Sequence, residues 1–208
     1  MNILFDKVGK RYNTEWIFRG ITFEFSTGNN YVILGANGSG KSTLLQLLAG
    51  NFIPSEGRIS YLDNNVSIEA EKIFRYIGVA TPYLELIEEF TLTELIDFHN
   101  KFKPMLFDTS KTIEILDLKQ SKNKSVRYFS SGMKQRVKLG IAILSNAPIL
   151  LLDEPLSNLD RNGIEWYKEL MKNYCKHKLT VVCSNNQEDE YFFCNKEIQL
   201  EAFKKTSV

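Results

Sequence analysis

The feature that most constrains this chain is a glycine-rich octapeptide between an apolar run and a helical pattern. Residues 35–42 read Gly-Ala-Asn-Gly-Ser-Gly-Lys-Ser and match GxxxxGK[ST], with the apolar run at 31–34 and helically spaced leucines at 41–49. Glycines let the backbone bend so that N–H groups point inward, and the following helix adds the positive end of its dipole. The sequence therefore predicts a strand, a phosphate-binding loop and a helix in succession.

Single positions in this loop have separate predicted roles. The Lys41 ammonium group is placed to bond the β- and γ-phosphates of ATP, and the Ser42 hydroxyl is placed to bind Mg²⁺. A glycine-rich turn before an ordinary helix is the alternative, but the defining positions match by chance in roughly one chain per hundred of this length. The residues predicted to bind the nucleotide here are Gly35, Asn37, Gly38, Ser39, Gly40, Lys41, Ser42 and Thr43.

A second chemical signal is an apolar run that ends in two acids. Residues 149–152 are Ile-Leu-Leu-Leu, which is typical of a buried strand, and Asp153 and Glu154 follow them. Asp153 is predicted to hold the Mg²⁺ shell, whereas Glu154 is predicted to orient or deprotonate the attacking water. A strand that merely meets solvent at two acids is the alternative, and the phosphate-binding loop in the same chain disfavours it.

The remaining periodicity predicts an α/β fold with a mainly parallel sheet, because buried apolar strands alternate with helices. The stretch at about 83–130 contains a capping-box pattern at 91–94 and predicts helices and loops. We expect it to form a helical subdomain inserted into the core. The predicted strands are 21–25, 31–34, 149–152 and 179–183, and the other predicted helices are 109–116, 132–144 and 162–174.

Composition places few demands on partners or compartment. With 26 basic and 25 acidic residues the net charge is +1, so we expect no nucleic-acid partner, and Lys204 and Lys205 are interpreted as a short tail. No apolar run has the length of a membrane span or the position of a signal peptide. The three cysteines lack CxxC spacing and predict free thiols in a reducing compartment. His99 and His177 are expected to be solvated or locally bonded.

Two further segments carry a family resemblance. Residues 129–136, Phe-Ser-Ser-Gly-Met-Lys-Gln-Arg, resemble the LSGGQ-x-x-R signature of ATP-binding cassette (ABC) proteins and precede both a helix and the acidic strand. Residues 157–160, Ser-Asn-Leu-Asp, resemble the SALD loop of that family and follow Pro155. Together with the two motifs above, the resemblance to ABC ATPases extends over about residues 3–203.

This resemblance implies a fold and a mode of pairing. It implies one domain over residues 1–208, with a P-loop NTPase core, an N-terminal antiparallel β region and the helical subdomain at about 83–130. Two subunits, expected to be identical, would pair head to tail with ATP between one phosphate loop and the partner's signature. Ser130 and Gly132 would then donate to the γ-phosphate across the interface.

The resemblance also points to an aromatic residue that stacks on adenine. Tyr12 stands at the corresponding place upstream of the phosphate loop. Trp16 is a rival candidate, and Phe18 is a weaker one. An ordinary core or surface aromatic remains the alternative for Tyr12.

Two positions depart from the family pattern where it touches the chemistry. Pro82 stands where the family has the glutamine of its Q-loop, and proline offers no side-chain donor. Asn185 stands where the family has a histidine, and its amide can bond a γ-phosphate oxygen but has no titratable proton. Lys41, Glu154 and Asn185 are the predicted catalytic residues. We expect ATP hydrolysis to persist through Glu154, at a lower rate than with a histidine.

The helical stretch bears on what the ATPase is coupled to. Most of its apolar and aromatic residues are expected to form the subdomain core, and some are expected to form the groove that receives a helix of the membrane partner in this family. The apolar residues are Tyr83, Leu84, Leu86, Ile87, Phe90, Phe98, Phe102 and Phe107, and the predicted acidic rim is Glu85, Glu88 and Glu89.

Two classes of function follow from the resemblance. The first is the ATP-hydrolysing subunit of a transporter, cytoplasmic and held at the inner face of the membrane by a separate transmembrane permease subunit. The alternative is a non-transport ABC ATPase, for example in iron–sulfur assembly or as a regulatory ATP switch. The transported substrate and the direction of transport are not encoded in this chain, because selectivity lies in the membrane partner.

Overall fold

The fold is built from two β-sheets and helices that cover them, and the computed structural model describes residues 1–203, so Lys204 and Lys205 lie outside the described part. The strands are β1 (Asn2–Tyr12), β2 (Glu15–Ser26), β3 (Asn30–Leu34), β4 (Glu56–Asp63), β5 (Val66–Ile68), β6 (Ile77–Ala80), β7 (Ile149–Asp153), β8 (Leu179–Ser184) and β9 (Lys196–Gln199). The helices are α1 (Lys41–Leu48), α2 (Leu92–Phe102), α3 (Thr109–Ile115), α4 (Ser131–Leu144), α5 (Arg161–Tyr174) and α6 (Glu188–Tyr191).

The larger sheet has the strand order β6-β7-β8-β3-β9, and all its pairings are parallel. Strands β7 and β8 are buried at every residue, as expected for a parallel sheet covered on both faces. Leu34 pairs with Ser184, and Asp153 pairs with Cys183, so β3, β7 and β8 end at one edge. The predicted α/β class with a mainly parallel sheet is confirmed.

The smaller sheet is antiparallel, with the strand order β2-β1-β4-β5. Strand β1 pairs on both sides, so that Ile3 lies opposite Phe25 and Tyr61. This confirms the N-terminal antiparallel region that the resemblance implied. Sequence alternation located only 21–25 within β2, because register shifts between Phe5 and Val8 break the alternation of β1.

Apolar side chains pack on both faces of the parallel sheet. Along β7, Ile149 and Leu151 face the layer shared with α1 and the antiparallel sheet, whereas Leu150 and Leu152 face the layer shared with α4 and α5. This alternation is the period of two that a strand imposes on its side chains. Packing in the two layers fixes both the position of β7 and which of its side chains point to each face of the sheet.

The segment between β6 and α4 has an apolar cluster of its own. Thr91 caps the N-terminus of helix α2. Its hydroxyl accepts the Glu94 N–H at 3.2 Å, and the Glu94 carboxylate accepts the Thr91 N–H at 2.8 Å. The predicted capping box is therefore confirmed. No helix within residues 1–203 is both long and apolar enough to cross a membrane. The buried members of the cluster are Leu92, Leu95, Ile96, Ile113, Leu116, Leu118, Val126, Phe129 and Val137.

The prediction that most of the apolar and aromatic residues named above form the core of this segment is wrong. Phe102 is 70% exposed and Tyr83 is 84% exposed, while Leu84, Ile87 and Phe98 are each more than a third exposed. The apolar positions Leu92, Leu95 and Ile96 follow the helical spacing i, i+3, i+4 and turn inward. Phe98 and Phe102 flank this buried stripe on the side of Leu95, and they line a groove with it, so their rings are left exposed at its margin. Phe107 packs on the layer of α4 and α5 instead.

The predicted acidic rim of this segment is partly neutralised. Glu88 forms an ion pair with Lys134 at 2.5 Å, and Glu89 forms one with Arg127 at 3.4 Å. The rim is therefore mixed in charge.

Candidate nucleotide site

The glycine-rich loop borders a cavity of about 470 Å³ at the edge of the parallel sheet. Gly38 and Gly40 have φ angles of 75° and 104°, which side chains with a Cβ rarely adopt. At Gly40 a Cβ would also lie 2.4 Å from Ile17 Cγ2, so this turn requires glycine. The cavity is lined by Ile17, Asn37, Gly38, Ser39, Gly40, Lys41, Ser42, Thr43, Tyr83 and Glu154. Every residue predicted for this loop lines the cavity except Gly35.

Lys41 is the buried cation of this loop, with 5% of its surface exposed. Its Nζ donates to the carbonyl oxygen of Gly35 at 2.6 Å, to that of Ala36 at 3.1 Å and to Asn185 Oδ1. Gly35 thus contributes through a bond to Lys41 and not as part of the cavity wall. A phosphate oxygen that reaches Lys41 Nζ takes the place of one of these acceptors.

The Asn185 amide connects several predicted site residues. Its Oδ1 accepts from Lys41, while its Nδ2 donates to Glu154 Oε1 at 2.6 Å and to Asn37 Oδ1. An amide carries both a donor group and an acceptor, so it can contact a cation and a carboxylate at the same time. The three predicted catalytic residues Lys41, Glu154 and Asn185 are therefore brought together.

Glu154 occupies a left-handed backbone conformation at the end of β7. Its φ is 46°, and its N–H donates to the Cys183 carbonyl at 3.0 Å. Non-glycine residues rarely adopt this region, and they keep it where the surrounding structure holds them. The turn sends the Glu154 carboxylate toward Asn185, whereas Asp153 stays buried within the strand end.

Asp153 and Ser42 form the predicted Mg²⁺ pair. Asp153 is 2% exposed, and its Oδ1 is buried without a hydrogen-bond partner. Burial raises the pKa of Asp153, and the Glu154 charge adds to this, while the Ser42 hydroxyl and Lys41 lower it. A buried, unpaired carboxylate oxygen beside a hydroxyl and a phosphate-binding loop fits the oxygen ligands that Mg²⁺ prefers.

The signature segment lies at the start of α4. The Ser130 hydroxyl caps this helix by accepting the Met133 N–H at 3.2 Å, and Ser130 is exposed. Neither Ser130 nor Gly132 lines the cavity at the glycine-rich loop of the same chain. An exposed helix N-terminus attracts anions, so these residues are available to a second molecule.

Comparison with protein families decides which family shares this arrangement. A family model described as ABC transporter matches residues 18–157, which is more than half of the chain. This chain belongs to the ABC transporter family. The matched segment contains the phosphate loop, the signature and the acidic pair, and it ends before Asn185.

Several known proteins are similar to this chain in sequence or in structure. The uncharacterized ABC transporter ATP-binding protein YcbN of Bacillus subtilis (strain 168) is 32% identical over 182 residues, which cover 85% of this chain and 59% of YcbN. The linearmycin resistance ATP-binding protein LnrL of the same organism is 26% identical, with 92% of this chain and 63% of LnrL covered. The chain thus spans less than two thirds of both relatives. A dimeric structure of a bacterial ABC transporter cassette aligns with a TM-score of 0.77 at 25% identity, covering 91% of this chain and 90% of that one.

The adenine-stacking candidates of this ABC chain differ in exposure. Tyr12 is 46% exposed, and Lys10 Nζ lies 5.5 Å from the centre of its ring. The Trp16 ring is partly buried, and the guanidinium carbons of Arg11 and Arg19 lie 5.5 Å and 4.5 Å from its centre. Phe18 has no exposed surface and belongs to the core, so its candidacy is wrong.

The segment around Pro82, which the sequence predicts to stand at the place of the ABC Q-loop, contacts both the signature helix and the cavity. The Pro82 carbonyl accepts a hydrogen bond of 3.0 Å from Lys138 Nζ on α4, and the next residue, Tyr83, lines the nucleotide cavity. The segment is therefore bonded to the signature helix, and an aromatic residue lines the cavity at the glycine-rich loop. No local pattern marks Tyr83 for this place.

Two further residues at the loop were missed by sequence reasoning. Ile17 lines the cavity and lies against Gly40. The Glu201 carboxylate accepts the Ala36 N–H at 3.1 Å from the 3₁₀ turn at Leu200–Phe203. Both are distant from the loop in sequence and lie outside any motif.

Proposed function

We propose that this chain hydrolyses ATP as the subunit of an ABC transporter and drives a separate membrane subunit by pairing with a second copy of itself. The contact that carries the proposal is the Asn185 amide between Lys41 and Glu154. It joins a phosphate-binding cation to a carboxylate that can take a proton from water. Asp153 and Ser42 would hold Mg²⁺ beside them, which is the set of groups that nucleotide hydrolysis requires.

In the proposed hydrolysis each of these groups has a defined role. The loop N–H groups and Lys41 Nζ bind the phosphates. Ser42 and Asp153 would hold Mg²⁺, which would supply further positive charge to the phosphates. Glu154 accepts the proton of the water that attacks the γ-phosphate. One Asn185 Nδ2 hydrogen orients the Glu154 carboxylate, and the other leaves Asn37 Oδ1 and donates to a γ-phosphate oxygen as negative charge develops there.

The same assignment sets the rate. Asn185 donates a hydrogen bond but carries no positive charge, in contrast to a protonated imidazole. Pro82 supplies no side-chain donor to the attacking water. We therefore expect turnover below that of a cassette with histidine and glutamine at these positions.

We propose that the second cassette supplies the missing side of the nucleotide site. Ser130 and Gly132 at the exposed start of α4 would meet the γ-phosphate held by the partner copy. The dimer formed by the similar bacterial cassette supports this pairing. Tyr12 would hold the adenine by stacking, since its ring is partly exposed upstream of the loop.

We further propose that one cassette domain spans residues 1–208 and that its helical subdomain, at about 83–130, receives the membrane subunit. A groove of about 330 Å³ between α2, α4 and the segment after β6 supports this, because Phe98 and Phe102 are exposed along it. The chain would then work at the cytoplasmic face of the membrane through that partner.

The proposal is tested by comparing ATP turnover of the purified chain with that of Glu154→Gln. We expect turnover to fall about 10²-fold or more, because proton transfer by a positioned base contributes that much. We also expect an ATP-dependent dimer of the variant to accumulate in size-exclusion chromatography.

Glu188→Gln is the matched control, since it neutralises an exposed glutamate outside the site. Equal turnover in both variants would exclude Glu154 as the base. ATP binding without turnover in any form of the chain would favour a regulatory switch over a transport ATPase.

A further inference from the structure

Glu190 is a buried carboxylate between the two segments that carry Glu154 and Asn185. It is 2% exposed, and its Oε1 accepts the Leu156 N–H at 3.3 Å, two residues after Glu154. The Ser184 hydroxyl, one residue before Asn185, faces the same carboxyl group. We propose that Glu190 is a positioning residue that keeps Glu154 and Asn185 in register for hydrolysis, an inference that rests on the roles proposed for them above.

The backbone around Glu190 is anchored in the core. The Tyr167 hydroxyl donates to the Glu190 carbonyl at 2.8 Å, and Tyr167 has no exposed surface. The Glu190 N–H donates to the Gln187 carbonyl at 2.9 Å, and the Gln187 N–H donates to Ser184 Oγ at 3.2 Å. The backbone of Glu190 is therefore held by α5 through Tyr167, and its carboxylate extends from a fixed position.

The segments that Glu190 contacts both contain a left-handed residue. Glu154 has a φ of 46° and Asn186 has a φ of 63°. Such conformations cost free energy and persist where neighbouring contacts hold them. Leu156 follows Glu154 by two residues, and Ser184 precedes Asn186 by two residues. The Glu190 carboxyl group therefore contacts both turns and can fix the position of one relative to the other.

Stability alone does not account for a carboxylate at this place. Burial raises the pKa of Glu190 to about 7, and the charges of Glu154 and Asp153 act in the same direction. Its Oε2 is buried without a hydrogen-bond partner. An apolar side chain of similar volume is often better tolerated in a core than a buried charge. The carboxylate thus costs stability, which is consistent with a role in placing the catalytic groups.

The test compares steady-state ATP turnover of the purified full chain with that of Glu190→Met and Glu190→Gln. Methionine keeps the length of the side chain and removes the acceptor, whereas glutamine keeps an acceptor oxygen for the Leu156 N–H. We expect Glu190→Met to lower kcat about 10-fold or more at unchanged KM for ATP, because small displacements of catalytic groups are costly. We expect Glu190→Gln to recover most of the lost turnover.

Glu188→Gln on the same helix is the matched control. A Glu190→Met variant with the kcat of this control overturns the inference. Parallel loss of ATP binding and turnover, without recovery in Glu190→Gln, overturns it as well, because the residue then serves the fold only. If Glu190→Met does not fold, Ser184→Ala replaces it: a lower kcat at unchanged KM is expected, and an unchanged kcat overturns the inference.

The outcomes separate this inference from the proposed function. If Glu154→Gln is inactive and the Glu190 variants are fully active, only the positioning role of Glu190 is overturned. A wild-type chain without turnover overturns the proposed roles of Glu154 and Asn185, and the positioning role with them.

Discussion

The edge of the parallel sheet and the outer face of the helical segment differ in whether their functional side chains already have partners. At the sheet edge, the Asn185 amide bonds to both Lys41 and Glu154. On the outer face, Phe98 and Phe102 are left partly or largely exposed. The side-chain network of the first region is formed within this chain alone, as electrostatic preorganisation of catalytic groups requires. The second presents apolar surface that a partner molecule can cover.

The largest expected effect would come from breaking the network at the sheet edge. Lys41→Met removes the cation that Asn185 and two carbonyl groups contact, and it leaves the phosphates without their charged donor. We expect ATP turnover to fall about 10³-fold, the upper range for loss of one preorganised donor. Lys101→Met on the exposed surface of α2 is the control. Turnover within tenfold of wild type would show that the network is not essential.

A smaller effect would sharpen the role of the amide in that network. Asn185→Ala removes both the contact to Lys41 and the contact to Glu154, and we expect kcat to fall about tenfold. Asn185→His restores a group that can carry a proton, and we expect kcat to exceed that of wild type. Steady-state kinetics at saturating ATP measures both. A histidine variant slower than the alanine variant would contradict this assignment.

Changes on the outer face should leave the chemistry intact. Phe102 is 70% exposed, so Phe102→Ser should alter the free energy of unfolding by less than about 0.5 kcal/mol and should not alter turnover of the purified chain. The fraction of the chain recovered with membranes after cell fractionation should fall. Phe74→Ser, at an exposed aromatic on the 3₁₀ turn Ala70–Tyr76, is the control. Equal recovery of both variants would count against the groove as a docking surface.

The smallest expected effect is a pH dependence of stability that differs between the two regions. In the groove, burial and the Lys103 charge lower the pKa of His99 to about 4. Its Nε2 is buried without a partner, so the expectation of a solvated or locally bonded histidine is wrong for this nitrogen. The unfolded chain takes up this proton near 6.5, so stability is lost as the pH falls from about 6.5 to about 4. His99→Gln should reduce that loss in thermal melts.

At the sheet edge the sign is reversed. The pKa of Glu190 is raised from 4.5 to about 7, so stability is present below 4.5 and is lost as the pH rises toward 7. Glu190→Gln should raise the melting temperature at about pH 8, by about 2–4 °C for each kcal/mol gained, and should have little effect near pH 4.5. Melting curves with the same pH slope for wild type and both variants would contradict the two assignments.

The sheet edge was largely predictable from sequence because its signals are local. The glycine pattern follows one strand, and the two acids end another. Each pattern predicts the local backbone structure at its own position. The sheet topology then brings Lys41 and Glu154 together without any further signal. Asn185 could be placed only by its position after a strand and by family resemblance.

The rest could not be predicted because it depends on contacts between distant segments. Phe98 and Leu95 belong to one helix and are both apolar, and only tertiary packing decides that Leu95 is buried and Phe98 exposed. Glu190 stands in an acidic run that resembles a solvated helix face. Its burial follows from Tyr167 and Leu156, and neither contact leaves a mark in the local sequence.

The two-layered packing of β7 also limits how this chain can change in length. A one-residue insertion within β7 would exchange Leu150 and Leu151 between the two apolar layers and turn the acids at its end away from the loop. Insertions at the exposed residues 122–124, within the connection between α3 and α4, would disturb no such alternation. Divergence in length is therefore expected in that connection, while the spacing inside β7 and β8 stays fixed.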